Sequence, residues 1–556
     1  MLLLPMRKWF TVTAYLGLIR LNQSDIISMW VLVHLIIPIS ALLANVNIPR
    51  TGGDYPPYFY SFIDVTKIPD FSDNETRLKL KYTVSGSRGT GYLDWYEIFY
   101  YRFLKAENDY FMFHSPDTSA VVEYKVYGLS GGSASVFDIS KFDSVVTIIN
   151  PVISADTCTF QTEHITGQIR TFCVVGPNGY RTIGNLETVP NQNLHGDTYE
   201  ADYIIVSHPE FISAAQRLKD FRESQRKPLK TTVVDVNDIY NEFGGGLPTP
   251  AAIRNYLRYV YLNWSHAPSY VLLMGDGDFD YKRIMNKKNP NWIPPWETDQ
   301  SFLPLSSYAS DDPFVIFFDG NRVNLGVGRL TCRSLSEANV MVDKIIEYEN
   351  GSITDPWKLR FTFVADDGLA GAGNNDGIQH TEDADAISKM IPDLFEKQKI
   401  YLYEYPTVYT VGGRRKPEVN TAIKNAINQG TLVINFSGHG NPRIWTHEAV
   451  FVRETDIPLL NNKGKYFFLV AATCNYSNFD LIDEQSSGEI LVAMPDAGAI
   501  AVFSATRAVY ADANFYLNRA LYNYILDTTS NGRIKEQRLG DIIYRTKQER
   551  SGDNDR

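Results

Sequence analysis

From residue 201 onward, near-continuous apolar runs alternate with segments whose apolar residues recur every three or four positions. The runs are ADYIIVS (201–207), KTTVVDV (230–236), YVLLMGD (270–276), RFTFVAD (360–366), KIYLYE (399–404), TLVINFSG (431–438), YFFLVAA (466–472) and GAIAVFS (498–504). A strand wetted on one face alternates polar and apolar residues, whereas a run that is apolar throughout predicts a strand covered on both faces. Between the runs, PEFISAAQRLKDFRE, TPAAIRNYLRYVYLNW, SLSEANVMVDKIIEYE, KPEVNTAIKNAINQG and ANFYLNRALYNYIL carry helical spacing. Thr249–Pro250 and Lys416–Pro417 supply helix starts, and Gly430 supplies a stop. Such alternation predicts an α/β fold built on a largely parallel sheet.

The text before it is different. Residues 46–196 hold short segments rich in Val, Tyr and Thr, such as LKLKYTV (78–84) and AVVEYKVYGL (120–129), broken by Gly, Ser, Asp and Pro. This predicts an antiparallel β-rich domain. Residues 1–45 include an uncharged apolar stretch, 26–44, preceded by Arg7, Lys8 and Arg20. It reads as a signal peptide or membrane segment, or as a mis-started reading frame, and predicts export. The expected division is therefore 1–45, 46–196 and 197–556, the last ending in a polar SGDNDR that reads as a C-terminal truncation.

The formal net charge of −11 argues against a nucleic-acid partner, which needs a basic face. The RKWF and GRRK segments read as solvated loops. Cys158, Cys173, Cys332 and Cys474 form no CxxC pair, so no structural zinc site is expected. Cys158 and Cys173 are close enough to bridge two strands.

In an open parallel sheet, ligands sit beyond the carboxyl ends of the strands. The run TLVINF ends in Ser437–Gly438–His439–Gly440, and the next, YFFLVAAT, ends in Cys474–Asn475. On neighbouring strands, His439 and Cys474 would project from the same edge. An imidazole beside a thiol lowers its pKa and supplies the thiolate nucleophile. Backbone N–H groups around Gly438 and Gly440 are candidate oxyanion donors. The plain alternative is a small apolar cysteine at a strand end beside a simple turn.

LVINFSGHGNPRIW (432–445) followed by FFLVAATCNYSNFD (467–480) resembles the gingipain-like cysteine peptidases, whose His lies in a GHG turn and whose Cys follows the next strand. RFTFVADDG (360–368) resembles the family segment bearing the acidic third member, and GAIAVFSATRAVY (498–510) the strand lining the S1 pocket. The resemblance covers roughly residues 197–523. It implies a caspase/gingipain-like parallel-sheet peptidase domain with Cys474, His439 and Asp367 as catalytic residues, Asp366 being able to shift into the acidic role. Gly377 in NNDGIQH stands where arginine-specific members carry an S1 aspartate, and Tyr510 stands at a pocket-wall aromatic.

Within the family, NQNLHG, ADYIIVSHPEFISAAQRL and VNDIYNEFGGGLPTPAAIRNYL resemble the type IX secretion sortases. That implies removal of C-terminal sorting domains from secreted proteins and transfer of the new carboxyl end to a lipopolysaccharide amine. It implies other type IX components as partners, and a place at the outer membrane or cell surface. A purely hydrolytic protease and an inactive secretion scaffold are the alternatives.

No cofactor is required by this chemistry. GDGDFD (275–280) has the rhythm of a calcium loop without the EF-hand glycine, and reads either as a structural calcium site or as solvated carboxylates. Gly128–Leu129–Ser130–Gly131–Gly132 fits G-x-S-x-G but leads into strand-like text, so it reads as a turn. His380 opens an acidic helix start and reads as site-lining or structural. His447 with His439 would bind a metal only beside a carboxylate, and His195 reads as linker.

Overall fold

A computed structural model describes residues 103–141, 143–196, 200–285, 290–298, 305–351, 354–368 and 376–550. Nearer the N-terminus it describes the backbone of Thr11–Tyr15, Ile27–His34, Ser40–Ile48, Arg77–Val84 and Trp95–Phe99, all strands. The leader or membrane segment expected over 1–45 otherwise lies outside the described residues. No described helix is long and apolar enough to cross a membrane.

The chain divides into two compact units, one of Met1–Thr51 with Tyr58–Pro190 and one of Gly52–Pro57 with Asn191–Arg556. The first is antiparallel β structure. Tyr110–His114, Thr171–Val175, Ser135–Asp138 and Val146–Ile148 form one sheet; Val152–Ser154, Thr157–Glu163 and Val121–Val126 form another. Phe113, Tyr124, Phe160 and Phe172 pack ring against ring in its core. Cys158 and Cys173, close enough in sequence to bridge two strands, lie in different sheets as separate buried thiols. Burial pushes the Cys158 thiol up to about 11, so it behaves as a small apolar side chain.

The second unit is α/β with two parallel sheets. β1 (Tyr203–Ser207), β2 (Thr231–Asp235), β3 (Tyr270–Met274) and β4 (Gly326–Leu330) lie in the order β2-β1-β3-β4. β5 (Arg360–Ala365), β6 (Glu396–Tyr401), β7 (Val433–Ser437), β8 (Phe467–Ala472) and β9 (Ala499–Ser504) lie in the order β6-β5-β7-β8-β9. Both faces of the second sheet are covered, as its apolar runs predict. Phe361, Phe363 and Ala365 of β5 point to one face, among Leu521, Tyr522 and Ile542. Val364 points to the other, among Ile423, Ile427 and Trp445. Each fully buried Phe, Leu or Val stabilises the fold by about 1.5–3 kcal/mol relative to exposure.

Helix boundaries follow the sequence signals. Helix α1 is Ile212–Ser224, α2 is Val236–Phe243, and α3 is Pro250–Asn263 with proline in its first turn. α4 (Leu335–Asn350) is capped by the Ser334 hydroxyl, which accepts from the Glu337 N–H. α5 is Gln379–Met390. α6 (Pro417–Gln429) starts at proline and stops at Gly430, whose φ of 101° only glycine adopts readily. α7 (Ser487–Ala493), α8 (Ala511–Ile525) and α9 (Leu539–Glu549) complete the unit.

One strand is displaced from its expected place. KIYLYE was expected over 399–404, but β6 is Glu396–Tyr401 and Leu402–Glu404 form a 3-10 turn. β6 is an edge strand, so Glu396 and Lys399 can reach water and the strand need not be apolar throughout.

Candidate active site

The central strands of the second sheet deliver the chemistry. β5, β7 and β8 are neighbours, and their last paired residues, Ala365, Ser437 and Ala472, stand side by side. One residue beyond Ala365 comes Asp366. Two residues beyond Ser437 and Ala472 come His439 and Cys474. Parallel pairing in this register therefore brings a carboxylate, an imidazole and a thiol to one rim of the sheet.

Close approach explains the glycines around His439. A Cβ on Gly438 would lie 2.5 Å from the Asp366 Cβ, and one on Gly440 would lie 2.5 Å from the Thr473 Oγ1. The SGHG turn is thus pressed between its two neighbouring strand ends. Beyond Cys474 the chain turns through Asn475, whose φ of 54° is left-handed, and its N–H donates to the Arg507 carbonyl at 3.1 Å.

Asp366 is buried, and its Oδ2 accepts from the His439 N–H at 3.0 Å and from the ring Nδ1 at 2.9 Å. Its Oδ1 accepts from the Asp367 N–H at 2.8 Å. Burial works to raise this carboxyl, but the two His439 hydrogen bonds and the ring charge outweigh it and hold the group below its ordinary range. The same hydrogen bond raises His439, against burial, with added help from the charges of Asp366, Asp376 and Glu448.

On its other side the ring is occupied. Nε2 of His439 lies 3.0 Å from Oδ2 of Asp376. The Cys474 sulfur donates to the Val509 carbonyl at 3.6 Å and accepts from the Val509 N–H at 3.4 Å. No hydrogen bond joins sulfur and ring among the described residues. Burial raises the thiol above its ordinary value, with the Val509 N–H pulling the other way.

Asp367, expected as the acidic member, turns away. Its Oδ2 meets Arg414 at 2.7 Å and Lys416 at 3.5 Å, and Arg414 also reaches Glu448 at 3.0 Å. The carboxylate on the imidazole is that of Asp366. GRRK was expected as a solvated loop, and that too is corrected. The hairpin Val408–Thr410 with Gly413–Arg415 carries Arg414 into this buried acidic group. Gly438 is likewise corrected as an oxyanion donor: its N–H serves the Ala472 carbonyl at 3.3 Å. Gly440 faces Trp445 in an isolated antiparallel bridge.

Gly377 adjoins Asp376, with a φ of 63° and open space at its Cβ position. Tyr510 is exposed and directly follows Val509, beside the sulfur's partners. His380 and His447 both flank His439, each with ring centroids 5.1 Å away. The acids of GDGDFD turn to separate donors. Asp276 pairs with Arg333, Asp278 accepts from Asn291 at 3.1 Å, and Asp280 accepts from the Ile284 and Met285 N–H groups at 2.8 and 2.7 Å.

The family model of Peptidase family C25 matches residues 197–555. The chain belongs to that family. Lys-gingipain HG66 of Porphyromonas gingivalis is 23% identical over 58% of this chain and 16% of its own length. Gingipain R2 of the same organism is 24% identical over 47% of this chain and 31% of its own length. The chain thus spans under a third of these relatives. Dimeric latent PorU from P. gingivalis shares the fold at a TM-score of 0.50 and 21% identity, covering 62% of this chain and 34% of that one. This C25 member therefore carries a caspase/gingipain-like fold, with the His and Cys segments at neighbouring strand ends.

Proposed function

We propose that the chain is an exported cysteine endopeptidase in which Cys474 is the nucleophile, His439 its proton carrier and Asp366 the group that orients the ring. The observation that carries this reading is the shared rim: β5, β7 and β8 bring the three groups together, with Asp366 fixed on Nδ1 at 2.9 Å. A carboxylate there fixes the tautomer and leaves Nε2 to exchange the reacting proton.

The resting contacts define the first step. Nε2 must leave Asp376 and the sulfur must leave Val509 before the two can meet. The Asp366 bond on Nδ1 is the pivot about which the ring turns. The sulfur then gives its proton to Nε2 and attacks the scissile carbonyl. As the C–N bond breaks, His439 returns the proton to the leaving amine. The resulting thioester is resolved by water or by an amine, and both routes use the same residues up to that branch.

We assign the amine route, with secreted proteins bearing C-terminal sorting domains as substrates and a lipopolysaccharide amine as acceptor, at the cell surface. The sortase-like stretches of sequence and the fold shared with PorU support it. The gingipains among its relatives favour plain hydrolysis as the second reading. The test supplies the purified full chain with such a cargo and an amine acceptor, and follows products by mass spectrometry. A joined carboxyl–amine product supports the sortase. Free acid alone leaves the hydrolase, and no cleavage defeats both.

A further inference from the structure

Beside the proposed nucleophile lies a second cluster, which shares His439 with the cleavage site and adds two residues that peptide cleavage does not use. Asp376, His380 and His439 each offer one ligand atom, and the three atoms lie within 4.8 Å of one another. Oδ2 of Asp376 is 3.0 Å from His439 Nε2 and 3.5 Å from His380 Nε2. A tetrahedral zinc ion with bonds of about 2.0–2.1 Å holds its ligand atoms about 3.3–3.4 Å apart. Two edges of the cluster, 3.0 and 3.5 Å, lie on either side of that size.

The independent sign is His380. Its side chain is only 7% exposed, and its Nε2 has no hydrogen-bond partner among the described residues. The 3.5 Å approach to Asp376 is too long to serve as one. A buried ring nitrogen aimed at a carboxylate and a second imidazole is what a metal ligand looks like before the metal arrives. The surroundings also match. Asp366 on Nδ1 of His439 forms the carboxylate–histidine pair that orients metal-ligating imidazoles. The Asp376 side chain is 38% exposed, which leaves a way in from solvent and room for water as a fourth ligand. Two imidazoles and one carboxylate suit zinc and its neighbours rather than calcium or magnesium. The adjacent acidic group of Asp366, Asp367 and Glu448 differs, because Arg414 and Lys416 already pair with Asp367, Arg414 with Glu448, and His439 with Asp366.

We propose that Asp376, His380 and the Nε2 of His439 bind one zinc-class divalent ion, and that the bound ion holds the imidazole away from Cys474 and so switches cleavage off. The site stands on its own geometry; the switching half rests on the proposed role of His439.

The experiment uses the full chain stripped with chelator, titrated with Zn²⁺ by calorimetry. Thermal melts and peptide cleavage are read in parallel. Wild type is expected to bind one Zn²⁺ per chain, to melt higher with it, and to lose cleavage reversibly, regaining it with EDTA. Asp376→Asn and His380→Gln are each expected to weaken Zn²⁺ binding at least tenfold, since even outer-shell partners contribute tenfold or more to metal affinity. Calcium and magnesium are expected to do neither. No Zn²⁺ binding by wild type, or binding by both variants as tight as wild type, would overturn the site. Binding without loss of cleavage overturns the switch. If the metal-free chain cleaves nothing, the peptidase reading and the switch that rests on it fail together, while calorimetry and melting still decide the site.

Discussion

Replacing Asp366 by asparagine keeps the shape of the side chain and removes the charge that holds His439. Asp366 accepts two hydrogen bonds from that residue, at 3.0 Å from the backbone and 2.9 Å from Nδ1. A hydrogen bond to a charged group contributes about 1.5–3 kcal/mol, and about 1.36 kcal/mol corresponds to a factor of ten in rate. Losing the ring's bond should therefore lower kcat/KM by roughly 10- to 150-fold. Asp367→Asn is the control. Its carboxylate serves Arg414 and Lys416, and Arg414 keeps Glu448, so the substitution leaves the buried Lys416 ammonium without its carboxylate and should lower Tm, with kcat/KM of the folded protein within about threefold of wild type. Both variants would be assayed on one fluorogenic peptide, with melting curves to confirm folding. If Asp366→Asn cleaves as well as wild type while Asp367→Asn is dead, the orienting role belongs to the neighbour and the reasoning fails.

Because burial holds the Cys474 thiol above its ordinary value, iodoacetamide should react slowly at neutral pH and faster as pH rises beyond the range of a free thiol; a plateau below pH 7 would indicate a preformed thiolate instead. Gly438→Ala drives a Cβ to within 2.5 Å of the Asp366 Cβ, and overpacking of this kind costs about 1–3 kcal/mol, so urea denaturation should show a clear loss that an unchanged midpoint would contradict. Lys344 is buried and donates to the carbonyls of Leu491, Val492, Met494 and Ala497 at 2.8–3.3 Å, tying α4 to the end of α7. Lys344→Met leaves those acceptors unpaired and should destabilise the chain by about 1–3 kcal/mol, read by the same denaturation; equal stability would show that the ammonium contributes nothing net.

The parts of this fold that the sequence reveals are those set by local rules. A strand buried on both faces must be apolar throughout, so β5, β7, β8 and β9 stand out as runs. The Pro250 and Pro417 starts and the Gly430 stop follow from backbone constraints alone. The placement of His439 and Cys474 at one rim follows from two neighbouring strands ending in unusual residues. The harder parts depend on contacts between distant segments. Asp366 and Asp367 are adjacent, and the choice between them is made by a hairpin some 47 residues further on, which brings Arg414 onto Asp367. An arginine pair in a polar stretch gives no local sign of burial. The Gly438 amide looks free in sequence and is claimed by Ala472 only once β7 and β8 pair. Cys158 and Cys173 are near in sequence, yet pairing places them in separate sheets. His380 begins an acidic helix, and only the fold shows its buried nitrogen facing Asp376 and His439.

The most direct measurement is labelling with an irreversible peptidyl probe that mimics an acyl substrate, followed by peptide mapping. Wild type should carry the label on Cys474, with Cys158, Cys173 and Cys332 unmodified in the folded protein because all three are buried. Cys474→Ala should carry none, and His439→Ala should be labelled far more slowly. A wild-type chain that is folded yet unlabelled at Cys474, or one labelled equally fast without His439, would contradict the account.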